Sequence, residues 1–178
     1  MNKGQARMIS VSDKPATHRV AIAEASLLLT PEALRALQEG DLPKGKPYLV
    51  SEIAGIQGAK RTPELLPLCH PLPLSGIEVR VHLEPERSRI HIQAQVETTA
   101  STGVEMEALT ACAIAALNAY DMLKGVSKGL EISELRLLHK SGGRSGTWER
   151  QDVLESKSVL GPARRSSVNR VRSGRKQP

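Results

Sequence analysis

A chain of 178 residues is long enough for one domain with a real core and some residues left over, and its 39 % hydrophobic and 25 % charged content fits neither a fibrous nor a wholly disordered protein. Aromatic residues make up only 2 %, with one Trp, two Tyr and no Phe, so Leu, Ile, Val and Ala must build the core, and modules that stack bases on exposed rings are nearly excluded. The net charge of +6 sits in residues 150–178, where eight Lys or Arg face two acids, while the other residues balance 17 basic against 17 acidic side chains.

In chain order, residues 1–15 are polar, contain Pro15 and read as a flexible arm. His18 to Leu29 suits a first strand. Thr30-Pro31-Glu32 supplies an N-cap, a proline at the first helical position and an acid in the first turn, and Gly40 closes that helix over 31–39. After a loop with two prolines and one glycine, Ser51 to Arg61 reads as a second helix, weakened by Gly55 and Gly58 and stopped by Pro63. In Gly76 to Leu83 the apolar Ile77, Val79, Val81 and Leu83 alternate with Glu78, Arg80 and His82. The same alternation returns from Ile90 to Val96 after a polar turn at 84–88, which predicts an antiparallel hairpin. Thr102 to about Gly125 carries the longest helical pattern, rich in alanine. A last strand covers Ile132 to Leu138, and residues 140–146 form a glycine-rich loop. The order strand, helices, strand, strand, helix, strand predicts an α+β ferredoxin-like sandwich, an antiparallel sheet with helices packed on one face. The domain is expected over 16–149, with a basic, disordered tail over 150–178 that either solubilises the chain or binds polyanions weakly.

Cys69 and Cys112 make neither a disulfide framework nor a C-x-x-C pattern. With no targeting segment and no long apolar run, a soluble cytoplasmic protein is expected, with no membrane partner.

Four groups of residues invite chemistry. Glu105 and Glu107 open the long helix; they either stabilise the positive end of its dipole or act as a carboxylate pair for acid/base work. Two residues apart, they share a face only in extended chain, so a joint role requires the chain to be just entering the helix there. Asp121 and Lys124, three apart near the other end, are either an exposed ion pair of little energetic weight or, partly buried, a pair in which each group tunes the other for proton transfer. Leu68-Cys69-His70-Pro71 places a thiol beside an imidazole. A metal site would need a second ligand cluster at usable spacing, so no metal is expected. A cysteine–histidine nucleophile is disfavoured because adjacent side chains of extended chain point apart; a ligand-binding or proton-transferring His70 remains, against a structural one. Lys44, Lys60, Arg61, Lys124, Lys140 and Arg144 are cations beside glycines or at element ends, where phosphates are held, although the P-loop order is absent.

Taken together, the runs 53–62, 66–72, 102–110, 120–124 and 137–143 resemble the molybdenum cofactor biosynthesis protein C family, the cyclic pyranopterin monophosphate synthases, over roughly residues 8–147. The resemblance implies a ferredoxin-like subunit in a homohexamer built as a trimer of dimers, with the active site at the dimer interface. It implies a nucleotide-derived substrate, 3′,8-cyclo-7,8-dihydro-GTP, converted without a cofactor to cyclic pyranopterin monophosphate and pyrophosphate. Asp121 and Lys124 match catalytic residues of the family. Leu68, Cys69, His70, Glu105, Met106 and Glu107 match substrate-binding stretches, and Arg19, Lys44, Lys60 and Lys140 match phosphate-binding or catalytic positions. The chain departs from the family pattern at Ser10, Lys46, Glu52 and Ser101. The alternative is a catalytically impaired relative that binds anions or nucleic acid through its tail.

Overall fold

The computed structural model describes residues 4–151, so most of the expected tail lies outside the described residues. The chain runs β1 (Thr17–Leu28), α1 (Pro31–Glu39), α2 (Tyr48–Lys60), α3 (Thr62–Leu65), β2 (Leu74–Glu84), β3 (Arg89–Ala100), α4 (Glu105–Leu123), β4 (Glu131–Ser141) and a two-residue β5 (Trp148–Glu149). The sheet order is β2-β3-β1-β4-β5, and every paired neighbour is antiparallel. This is the expected α+β fold, with the split β-α-β order of a ferredoxin-like sandwich. Among the described residues no helix is long and apolar enough to cross a membrane.

The alternation read from the sequence sets the two faces. Ala21, Ala23, Ala25 and Leu27 of β1 and Ile90, Ile92, Ala94 and Val96 of β3 point into the core, where α4 covers them with Ala108, Ala111, Cys112, Ala115, Ala116 and Ala119. Alanine facing alanine lets helix and sheet approach closely, which is how a core without Phe closes. The large aliphatics Leu27, Ile90 and Ile92 are fully buried, each worth about 1.5–3 kcal/mol relative to exposure.

α1 begins and ends as its sequence signals require. The Thr30 hydroxyl accepts the Ala33 N–H, and Gly40 closes the helix in the left-handed conformation. The second helix departs from expectation. It starts at Tyr48, three residues early, without a side-chain cap, and Pro63 sits inside a further short helix, α3, instead of ending the helical region. Gly55 and Gly58, costly to a helix on its own, let α2 approach α4. A Cβ at position 55 would stand 2.9 Å from the Ala111 carbonyl oxygen, and one at 58 would stand 2.8 Å from Ile114 Cγ1. Between the same helices, the Asn118 side chain donates to the buried Ser51 hydroxyl at 3.0 Å.

Gly55→Ala is therefore expected to destabilise the protein by about 1–3 kcal/mol through overpacking, outweighing the gain of about 1 kcal/mol or less in helix propensity. Urea unfolding of the variant checks this, and an increase in stability would contradict the close approach.

Candidate functional site

α4 carries the candidate chemistry at both of its ends. It starts at Glu105, not Thr102, so Thr102 and Gly103 belong to the turn that delivers the chain into the helix. Glu105 is half-buried and Met106 exposed, while Glu107 is only 2 % exposed and points inward. The two acids therefore face different surroundings, as residues two apart on a helix must.

Opposite Glu107 runs the extended segment after α3. Cys69 Sγ donates to Glu107 Oε1 at 3.6 Å, and Glu107 Oε2 is buried with no partner among the described residues. Burial, joined by the repulsion of Glu105, pushes the Glu107 carboxyl above its usual range despite the hydrogen bonds it accepts. Burial and the neighbouring Glu107 push the Cys69 thiol up to about 11. The Cys69 thiol thus stays protonated, a hydrogen-bond donor to Glu107 and a poor nucleophile. Residues 66–70, 102–103 and 105–106 line a cleft of about 670 Å³, to which Ala6 of the N-terminal arm also contributes. A smaller cavity of about 260 Å³ shares Leu72 with the cleft and places Lys60 and Glu107 in one wall. The sequence motifs around Leu68, Cys69, His70, Glu105, Met106, Glu107 and Lys60 are thereby brought together at one end of α4.

The raised carboxyl of Glu107 has a testable consequence. A carboxyl whose folded-state pKa lies above its unfolded value stabilises the fold fully at low pH and loses that contribution as pH rises through the folded value. Glu107→Gln removes the charge that burial opposes, so its stability relative to the native chain is expected to be more favourable at pH 7 than at pH 4. Urea unfolding of both chains at the two pH values checks the sign.

Arg19 ties the cleft to the next cluster. Its Nε donates to the Ala100 carbonyl at 2.8 Å and its Nη2 to the Ser101 carbonyl at 3.1 Å, clamping the turn that leads into α4. Because Ser101 engages Arg19 through its backbone, this departure from the family pattern leaves the clamp in place. Gly142, at φ 90, lets the loop after β4 cross β1, where a Cβ would overlap the His18 carbonyl oxygen. Lys140 Nζ donates to the Gly146 carbonyl at 2.8 Å and also to Ser145 Oγ. Lys14, Thr17, Arg19, Gly143 and Arg144 surround a further cavity of about 310 Å³. Lys14 was not among the residues expected here; its place in a polar arm hid it.

At the opposite end of α4, Asp121 gathers two ammonium groups. Lys124 Nζ lies 2.5 Å from Asp121 Oδ1, and Lys44 Nζ lies 2.6 Å from Oδ2 and 3.2 Å from the Asp121 carbonyl oxygen. Gly45, at φ 75, makes the turn that brings Lys44 over the helix end, and Lys46 next to it does not disturb the contact. The hydrogen bonds from Lys124 and Lys44 hold the Asp121 carboxyl down at about 2, and the bond to Asp121 holds the Lys124 ammonium above its usual value. All three side chains are about half exposed. The pair is therefore open to solvent, and its shifts run away from neutrality. Asp121 stays ionised and Lys124 stays charged, an arrangement that presents cations to an anion.

Glu52, another departure from the family pattern, accepts the Val81 N–H of the edge strand β2 at 3.1 Å and so fastens α2 to the sheet.

The model of the MoaC family matches residues 8–143. The chain is 54 % identical over 150 residues, 84 % of its own length and 90 % of the relative's, to the cyclic pyranopterin monophosphate synthase of Thermomicrobium roseum. To the proteins of that name from Pelotomaculum thermopropionicum and Deinococcus radiodurans it is 53 % and 55 % identical, over 84 % and 82 % of its length and 88 % and 86 % of theirs.

Proposed function

The chain belongs to the MoaC family, and from that membership we infer that it acts as a cyclic pyranopterin monophosphate synthase, a lyase of molybdenum cofactor biosynthesis. The observation that carries this reading is that the matched region contains a cleft lined by residues 66–70, 102–103 and 105–106 at one end of α4 and the Lys44–Asp121–Lys124 cluster at the other. The substrate is 3′,8-cyclo-7,8-dihydro-GTP, and the products are cyclic pyranopterin monophosphate and pyrophosphate.

The reaction requires a ribose hydroxyl to attack the α-phosphorus. The P–O bond to the β-phosphate breaks, pyrophosphate leaves with the electron pair, and the hydroxyl proton passes to a base. Rearrangement of the purine-derived ring needs further proton transfers. Lys124 and Lys44, both held in place by Asp121, neutralise developing phosphate charge, while Arg19, Lys60 and Lys140 hold further phosphate oxygens. Asp121, at about 2, is a weak base and serves to position the two ammonium groups. Glu107, whose carboxyl is pushed up, is suited to hold and release a proton beside Cys69, with Leu68, His70, Glu105 and Met106 shaping the cleft. No cofactor enters this scheme. Incubating the purified chain with the cyclic dihydro-GTP and following product by mass, together with pyrophosphate release, tests the assignment; absence of both products would leave an anion-binding relative as the reading.

The two ends of α4 are too far apart to serve one reacting centre in one chain. Glu105 and Asp121 are 16 positions apart in a continuous helix, which at 1.5 Å per residue separates them by roughly 24 Å. We propose that the site is completed between copies, within a hexamer arranged as a trimer of dimers. Leu49, Val50 and Ile53 of α2 and Leu117 of α4 are exposed apolar residues on the helical layer, a patch that suits such an interface. A cytoplasmic location fits the substrate.

Arg150 donates from its side chain to the Leu137 carbonyl and from its backbone to the Leu138 carbonyl, both at 2.9 Å, so a truncation should end after Gln151. Removing residues 152–178 is expected to leave turnover unchanged while weakening retention on heparin in a salt-dependent way; loss of turnover at saturating substrate would place the tail in the site.

A further inference from the structure

The face of the sheet turned away from the helices carries a polar network that the proposed reaction does not use. His82 of β2 and His91 of β3 are direct cross-strand partners, their rings 5.1 Å apart in an edge-to-face arrangement. Glu84 follows two residues after His82 and so points to the same side. One donor atom from each of the three lies within 4.8 Å of the others. His82 Nε2 is 3.4 Å from Glu84 Oε1, and His91 Nδ1 is 4.0 Å from the same oxygen. Donors bound tetrahedrally at about 2.0–2.1 Å from a zinc ion stand roughly 3.4 Å from one another. One of these separations already matches, and His82, about half exposed, has room to close the others.

His91 supplies the second observation. Its Nε2 lies 3.0 Å from Glu24 Oε2, and the other oxygen of Glu24 accepts from Arg136 Nε at 2.8 Å. Paired with the Arg136 guanidinium, the Glu24 carboxylate is an acceptor on both oxygens, and His91 Nε2 is placed to donate to it. In the neutral ring this leaves a lone pair on Nδ1, which is buried without a hydrogen-bond partner among the described residues and faces another acceptor, Glu84. A buried acceptor aimed at an acceptor is costly unless a cation lies between them. A carboxylate that orients a histidine through its far nitrogen is the usual support of a metal-binding imidazole. Glu84 keeps its Oε1 for this purpose because Arg89 Nε occupies Oε2 at 2.8 Å.

We propose that His82, Glu84 and His91 bind a divalent first-row transition ion, with Zn²⁺ the best match to two imidazoles and a carboxylate. The ion joins β2 to β3 across the open face and keeps a fourth position for water on the exposed side. The site is separate from Cys69 and His70, the pair from which the sequence argued against a metal. A His-x-Glu run on a strand face was legible there, but its third ligand depends on the hairpin register.

The full chain, stripped with a chelator and titrated with Co²⁺ as a spectroscopic probe and then with Zn²⁺ in competition, tests this. The expected result is one ion per chain, with visible bands of a tetrahedral nitrogen and oxygen site and no sulfur-to-metal band. His82→Ala, at an exposed position where folding is safe, and His91→Ala should each weaken binding at least about tenfold. Glu24→Gln, which keeps all three donors, should weaken it by about 10–100-fold, and Cys69→Ser should not change it. Absence of Co²⁺ binding at millimolar concentration, undiminished binding in His82→Ala, or a sulfur-to-metal band lost in Cys69→Ser would overturn the proposal.

Discussion

Asp121→Asn and Lys124→Ala are each expected to lower turnover by about 10²–10³-fold while leaving the protein folded and assembled. The size follows from the role. Removing a preorganised charge partner of a developing phosphate charge costs about 10²–10³. In Asp121→Asn the amide no longer attracts the two ammonium groups that the carboxylate holds at 2.5 and 2.6 Å, so Lys44 and Lys124 lose their positions together. The fold should be indifferent. Both side chains are about half exposed, and the apolar face of α4 is carried by its alanines and Leu123. Turnover of the purified variants, beside circular dichroism and size-exclusion chromatography, checks both halves. Near-native turnover in either variant would remove the assigned role.

The sheet and α4 were legible from the sequence because their residues repeat with the period of the element. Ile77 to Leu83 and Ile90 to Val96 alternate, and their observed pairing puts Ile77 opposite Val96 and Leu83 opposite Ile90, as a short turn between the two runs requires. α2 starts three residues before the position its local pattern gives. Its glycines look like helix breakers until α4 is laid against them, a tertiary fact that no local pattern contains. The same divide runs through the site. Glu105, Glu107, Asp121 and Lys124 announce themselves by residue type and spacing, and the length of α4 follows from counting. That Cys69 donates to Glu107, or that Arg19 clamps the carbonyls of Ala100 and Ser101, depends on the segment after α3 lying beside α4 and on Thr17 pairing with Ala100. Those registers exist only once the chain is folded. The resemblance to a family supplied the chemistry of the site; the residues alone supplied an anion-binding helix end and a buried acid.

Mixing two inactive variants is expected to restore activity. If Glu107 serves a centre completed by Asp121 and Lys124 of a neighbouring copy, an Asp121→Asn chain still offers an intact Glu107 end, and a Glu107→Gln chain still offers an intact Asp121 end. In an equal mixture with random exchange, half of the sites draw the first end from the right chain and half draw the second. About a quarter of the sites are then fully native, so activity should approach about a quarter of that of the native enzyme. Exchange can be driven by mild denaturant and proved by mass spectrometry of differently labelled chains, and each variant incubated alone under the same treatment gives the baseline. Recovery above that baseline cannot come from within one chain, because the roughly 24 Å between the two ends of α4 is fixed by a continuous helix from Glu105 to Leu123. Failure to recover despite proven exchange, or full activity in a monomer, would instead require both ends of α4 to work independently, and with that the shared site would fall.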